Sequence, residues 1–171
     1  MFRAKYILFF LVIAINAYSS EYDKLWGIER QEFAKNLSPE SDYEVFKPEE
    51  KPEYNNRIIS FFKSMGGSGF DIKVLRVKGK PEKDYCFFND RLYSVSEDWG
   101  ETSSKNSDNI LDHYHKEYNK PQVESKESMT VYTFSKDKTR ILIYKKASGH
   151  GRVRLRVFHY TNEVFSMLLK D

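Results

Sequence analysis

Tyr85-Cys86-Phe87-Phe88-Asn89-Asp90-Arg91-Leu92-Tyr93-Ser94-Val95-Ser96-Glu97 decides the fold class. Aromatic and β-branched residues dominate both sides of Asn89-Asp90, which marks a tight turn, so the stretch predicts an antiparallel hairpin of Tyr85–Phe88 against Leu92–Glu97. Before it, Asp71 to Val77 alternates as a strand that Gly79-Lys80-Pro81 breaks. Arg57 to Met65 is ambiguous. Ile58, Ile59, Phe61, Phe62 and Met65 form a helical stripe closed by Gly66, but a strand feeding Gly66-Gly67-Ser68-Gly69 fits nearly as well. The charged stretch 38–56, with Pro39, Pro48 and Pro52, reads as a long surface loop. Glu29 to Asn36 predicts a short helix with Phe33 and Leu37 on one face, stopped by Ser38-Pro39.

Beyond the hairpin, Ser107 is expected to cap a helix lined by Ile110, Leu111, Tyr114 and Tyr118 and ended by Asn119-Lys120-Pro121. The last third reads as strands: Met129–Phe134 with Arg140–Lys146, then Arg152–His159 with Val164–Leu169. A three-residue loop Thr161-Asn162-Glu163 would set Val157 opposite Met167, Leu155 opposite Leu169 and His159 opposite Phe165. That register buries more apolar surface than a one-residue slip. The order of elements predicts an α+β fold, a mostly antiparallel sheet of about six strands with two or three helices packed on one face.

Residues 1–19 have the parts of a secretory signal. Arg3 and Lys5 precede an apolar run from Tyr6 to Ile15, and Ala17-Tyr18-Ser19 supplies small residues for a cut before Ser20, with a cut after Ala17 as the second choice. The run is too short to span a bilayer easily, which takes about 20 apolar residues. No cysteine stands at the cut to carry a lipid. Residues 20–171 are then expected to form a single α+β domain with no membrane span.

The whole chain holds Lys+Arg 28 against Asp+Glu 25. The leader removes two of the cations, so the mature domain is close to neutral and nucleic acid is not an expected partner. Cys86 is the sole cysteine, so no intramolecular disulfide can form. A disulfide-free exported domain points to a bacterial envelope, periplasmic or secreted. Cys86 itself, within Tyr85-Cys86-Phe87-Phe88, reads as a buried small hydrophobe.

No signature of catalysis, metal or cofactor stands out. His113 and His115 are two apart on a helix, about 200° around its axis, and cannot grip one ion together. His150 lies between two glycines in a turn. Gly66-Gly67-Ser68-Gly69-Phe70 lacks the second glycine of a nucleophile elbow and the lysine of a phosphate loop. Glu97 and Asp98 beside Trp99 combine acids with an aromatic, an ingredient of sugar sites, but such a triplet also commonly ends a strand.

The most distinctive pattern is Arg152, Arg154 and Arg156 alternating with Val153, Leu155 and Val157. On a strand the three guanidiniums share a face about 6.6 Å apart. Arg140, Lys145 and Lys146 on the preceding strand could widen that cationic stripe. Guanidinium forks suit phosphate, sulfate and carboxylate, although a solvated face that deters edge pairing explains the same pattern. These residues predict a non-enzymatic binding or interaction domain whose partner is an anionic macromolecule or an envelope protein. The alternatives are a small exported hydrolase using Glu97, Asp98 and a histidine, or a structural subunit of an envelope complex.

Overall fold

Two four-stranded meanders join side by side through their last strands. A computed structural model describes residues 20–51, 71–118 and 120–168. In chain order these form α1 (Ser20–Leu25), α2 (Arg30–Lys35), β1 (Tyr43–Phe46), a 3₁₀ turn (Pro48–Glu50), β2 (Ile72–Val77), β3 (Glu82–Phe88) and β4 (Arg91–Ser103). There follow α3 (Ser104–Glu117), β5 (Gln122–Lys126), β6 (Met129–Lys136), β7 (Thr139–Gly149), β8 (Arg152–Thr161) and α4 (Asn162–Leu168). The sheet order is β1-β2-β3-β4-β8-β7-β6-β5, with every neighbouring pair antiparallel. The sheet therefore has eight strands where about six were expected.

The diagnostic hairpin forms as read. Phe88 pairs with Arg91, and Asn89 and Asp90 both have positive φ, 48° and 61°. That backbone matches the twist of the flanking strands and suits Asn and Asp. The loop expected over 38–56 contains β1, an edge strand that pairs with β2. The expected strand Val164–Leu169 is instead largely α4, so the register of Val157 with Met167 and His159 with Phe165 does not occur. Thr161 Oγ accepts from the Val164 amide at 3.3 Å, an N-cap that turns the chain into a helix. His159 pairs with Val95 and Ile141 instead. The signal 1–19 and the ambiguous segment 57–65 lie outside the described residues.

α3 follows from the topology. β4 ends mid-sheet while β5 starts at the far edge, four strand spacings or about 19 Å away. A helix of 14 residues, rising 1.5 Å per residue, covers that span. Its cap is Ser103, one turn before the expected Ser107; the Ser103 hydroxyl accepts from the Asn106 amide at 3.2 Å. Leu111 and Tyr114 of α3, with Tyr118, bury against Phe134, Ile141, Ile143, Leu155 and Val157. Each such aliphatic side chain contributes roughly 1.5–3 kcal/mol. α1 and α2 cover the other half of this face over Leu75, Phe87, Leu92 and Val95. The helices are not all on one face, however, because Val164 of α4 packs with Phe46, Val74 and Cys86 on the opposite side.

Candidate functional site

Cross-strand pairing on the face under α1 and α3 sets one row of Leu75, Tyr85, Val95, His159, Ile141 and Phe134. The next row holds Lys83, Glu97, Val157, Ile143 and Tyr132. Lys83 and Glu97 are thus direct neighbours, with His159 diagonal to Glu97. Together they form a polar island within a largely apolar surface. Glu97 is 5% exposed and His159 1%.

Glu97 gathers donors from three elements. Tyr22 of α1 donates its hydroxyl to Oε1 at 2.9 Å, Lys83 of β3 holds the same oxygen at 3.2 Å, and the Trp99 indole donates to Oε2 at 3.2 Å. His159 Nε2 lies 3.8 Å from Oε1 and 3.4 Å from the Tyr114 hydroxyl. The Tyr22 ring stacks on the imidazole with centroids 4.3 Å apart. Trp99 reaches this position through a bulge. Asp98 pairs with Arg156 and Gly100 with Leu155, leaving Trp99 as the extra residue. Gly100 takes φ +63°, a conformation that costs a glycine little. Bulges of this kind re-aim side chains beside functional sites.

The electrostatics separate the two titrating partners. Burial pushes the His159 imidazole down to about 4 against the opposing pull of Glu97, so it is neutral at pH 7. Burial also pushes Glu97 up. The charged form of the His159 imidazole, the Lys83 ammonium and the Tyr22 and Lys83 hydrogen bonds pull the other way and hold the carboxyl below its usual range. At pH 7, where His159 is neutral, Lys83 is the cation that faces Glu97, 3.2 Å from Oε1. Burial raises the Tyr22 and Tyr114 hydroxyls well above 10, and Tyr118 to about 12, so all three are neutral donors. His159 Nδ1 is buried with no hydrogen-bond partner among the described residues.

Above this island lies a cavity of about 370 Å³. Tyr22, Lys83, Glu97 and His159 contribute to its lining with Trp99, Ile110, His113, Tyr114 and Tyr118. Sequence reasoning had picked out Glu97, Trp99 and an unspecified histidine, but paired Glu97 with Asp98. The structure separates these two acids to opposite faces. His159 is the histidine brought to Glu97; the only clue to it was its place on the predicted arginine strand. Nothing in the sequence pointed to Lys83 or Tyr22.

Arg152, Arg154 and Arg156 project together from the outer face of β8. Asp98 Oδ2 accepts from Arg154 at 3.1 Å and from Arg156 at 2.9 Å, and Glu101 lies 3.9 Å from Arg152. Burial raises the Asp98 carboxyl, but the Gly100 amide and the two arginines override it and hold it low. Lys146 faces Arg154 across the β7–β8 pair, whereas Lys145 turns to the helix face and holds Asp108 at 2.6 Å. Arg140 shares the outer face but pairs with Tyr160, two rungs beyond Tyr144, and does not join the arginine group. Cys86 is buried. Among the described residues no group of three or more His, Cys, Asp or Glu is placed to hold a metal, and no helix is long and apolar enough to cross a membrane. Gly66 to Phe70 lies outside the described residues. No protein-family model, curated protein or solved structure matches the chain.

Proposed function

We propose that the protein is an extracytoplasmic binding domain whose ligand is a small ring compound held between α3 and the sheet. The observation that carries this reading is the polar island of Lys83, Glu97 and His159 beneath an aromatic-walled cavity. Burying an ion costs several kcal/mol before pairing offsets it, and His159 also leaves a ring nitrogen unbonded. Packing alone would be better served by the aliphatic residues found elsewhere in the same rows. Polar groups kept at such a cost point to recognition.

The cavity is at the lower end of the range for small-molecule sites, about 300–1,000 Å³. Trp99 donates to Glu97 Oε2, and a carboxylate oxygen has a second lone pair that an O–H or N–H of the ligand can use. Trp99, Tyr114 and Tyr118 line the cavity, and aromatic walls suit the flat side of a ring. Binding is favoured over hydrolysis because Glu97 is already engaged by three donors, and Asp98 is on the far side of the sheet. A structural-subunit role is disfavoured. The large exposed hydrophobes among the described residues sit at opposite sheet edges, Tyr43 and Val45 on β1, Val123 and Met129 on β5 and β6.

A thermal-shift screen of monosaccharides, nucleosides and aromatic amino acids tests the reading. Compounds that stabilise the wild type are expected to lose their effect on Ile110→Trp, which fills the cavity. Stabilisers that act equally on both proteins, or the lack of any, would refute it. The export component rests on Arg3, Lys5, the apolar run and the small residues before Ser20. Cleavage there retains Tyr22, so N-terminal sequencing of exported protein should begin at Ser20. A mature chain lacking Tyr22 would contradict the pairing of export with this site.

A further inference from the structure

The outer face opposite the cavity carries charges that the fold leaves uncompensated. Arg154 on β8 stands directly opposite Lys146 on β7, which faces Met129 on β6, which faces Lys126 on β5. Like charges in direct cross-strand register destabilise a sheet. Neither Lys146 nor Lys126 has an acidic partner within 4 Å among the described residues. Beside this row Arg152 and Arg156 add two guanidiniums, and among the described residues the three arginines share Asp98 and Glu101 as acidic partners. Glu124 lies one rung away on β5 and Glu127 in the turn beyond Lys126, while Glu82, which faces Asp98 on β3, is held by Arg76 at 3.3 Å. Among the described residues Lys146 and Lys126 are thus the unpaired cations of the row, and the three arginines beside them are 49–60% exposed.

We propose that this row is a second binding site, independent of the cavity, for a linear polysaccharide bearing sulfate or phosphate groups. From Arg154 to Lys126 the row crosses three strand spacings, about 14 Å. It is a row one side chain wide with cations at three of its four positions, flanked by Arg152 and Arg156 on β8, a shape that fits a chain lying across the strands. Guanidinium forks take tetrahedral oxyanions through paired N–H donors, and the lysines add point charges. A membrane surface fits less well. Met129 is the one large exposed hydrophobe of the row, and interfacial binding draws on several apolar anchors.

The experiment compares dextran sulfate, neutral dextran and phosphatidylglycerol vesicles as ligands for wild type, Arg154→Gln/Lys146→Gln, and the control Lys78→Gln. Lys78 is a comparably exposed cation beyond the other end of the sheet, paired with Asp42. Dextran sulfate should bind the wild type and the control alike, and more weakly at higher salt. The double variant, at unchanged melting temperature, should lose at least about tenfold in affinity, and neutral dextran should not bind. Equal binding of dextran sulfate by all three proteins overturns the site. So does binding of the vesicles without binding of dextran sulfate.

Discussion

Glu97 and Asp98 are consecutive residues of one strand, both paired with cations, yet they belong to different physical regimes. Glu97 points under α1 and α3 and is 5% exposed, so solvent screens its bonds little. Asp98 points to the outer face with its side chain 28% exposed, and solvent screens its bonds to Arg154 and Arg156. The contrast teaches that a bond count does not measure a carboxylate's importance. Removing a partner from a buried pair leaves an uncompensated charge, whereas an exposed pair is worth little.

Glu97→Ala should give the largest effect, leaving the Lys83 ammonium and the Tyr22 and Trp99 donors without their acceptor. A loss of about 3–5 kcal/mol in urea unfolding is expected. Similar losses for Glu97→Ala and Asp98→Ala would erase the distinction.

The second prediction concerns pH. His159 titrates near 4 when folded and near 6.5 when unfolded, so the unfolded chain takes up the proton first as pH falls. Stability should drop between about pH 6.5 and 4, by about 3 kcal/mol, and this contribution should level off below. Glu97, held low in the fold, contributes stability above its unfolded value that is lost as pH falls through its folded value. Both effects make the protein acid-sensitive. His159→Phe should flatten the upper part of that profile. A profile already flat in the wild type would mean that His159 is solvated.

Tyr22→Phe removes one hydrogen bond to a charged acceptor and should cost about 1.5–3 kcal/mol. It sharpens the comparison by testing one donor at a time. Asp98→Asn is the smallest, within about 1 kcal/mol, with the difference shrinking as salt is added. A large, salt-insensitive loss would place Asp98 in the buried regime.

Much of the fold was legible because it rests on local patterns. Asn89-Asp90 announced its hairpin, and the Leu111-Tyr114-Tyr118 stripe announced α3. β5 escaped notice because all five of its residues are exposed, so Gln122–Lys126 shows no apolar alternation. β1 was hidden in a charged stretch by Pro39 and Pro48 on either side. α4 was misread because Val164, Phe165 and Met167 resemble a strand when the Thr161 cap is overlooked. The candidate site was the least legible part. Tyr22 and Glu97 are 75 positions apart, and only the sheet register brings His159 beside Glu97. Strand alternation puts Glu97 and the acid next to it in sequence on opposite faces, and the bulge at Trp99 brings the indole back to Glu97.

The two tryptophans provide the most direct test of the cavity. Trp26 donates its indole N–H to Thr139 at 2.8 Å, outside the cavity lining, and Trp99 donates to Glu97 within it. In a ¹H–¹⁵N spectrum the two indoles report separately during titration with any compound that raises the melting temperature. The binding account predicts that the Trp99 signal moves and saturates while the Trp26 signal stays in place. A stabilising compound that leaves Trp99 unmoved, or shifts Trp26 alone, would contradict it.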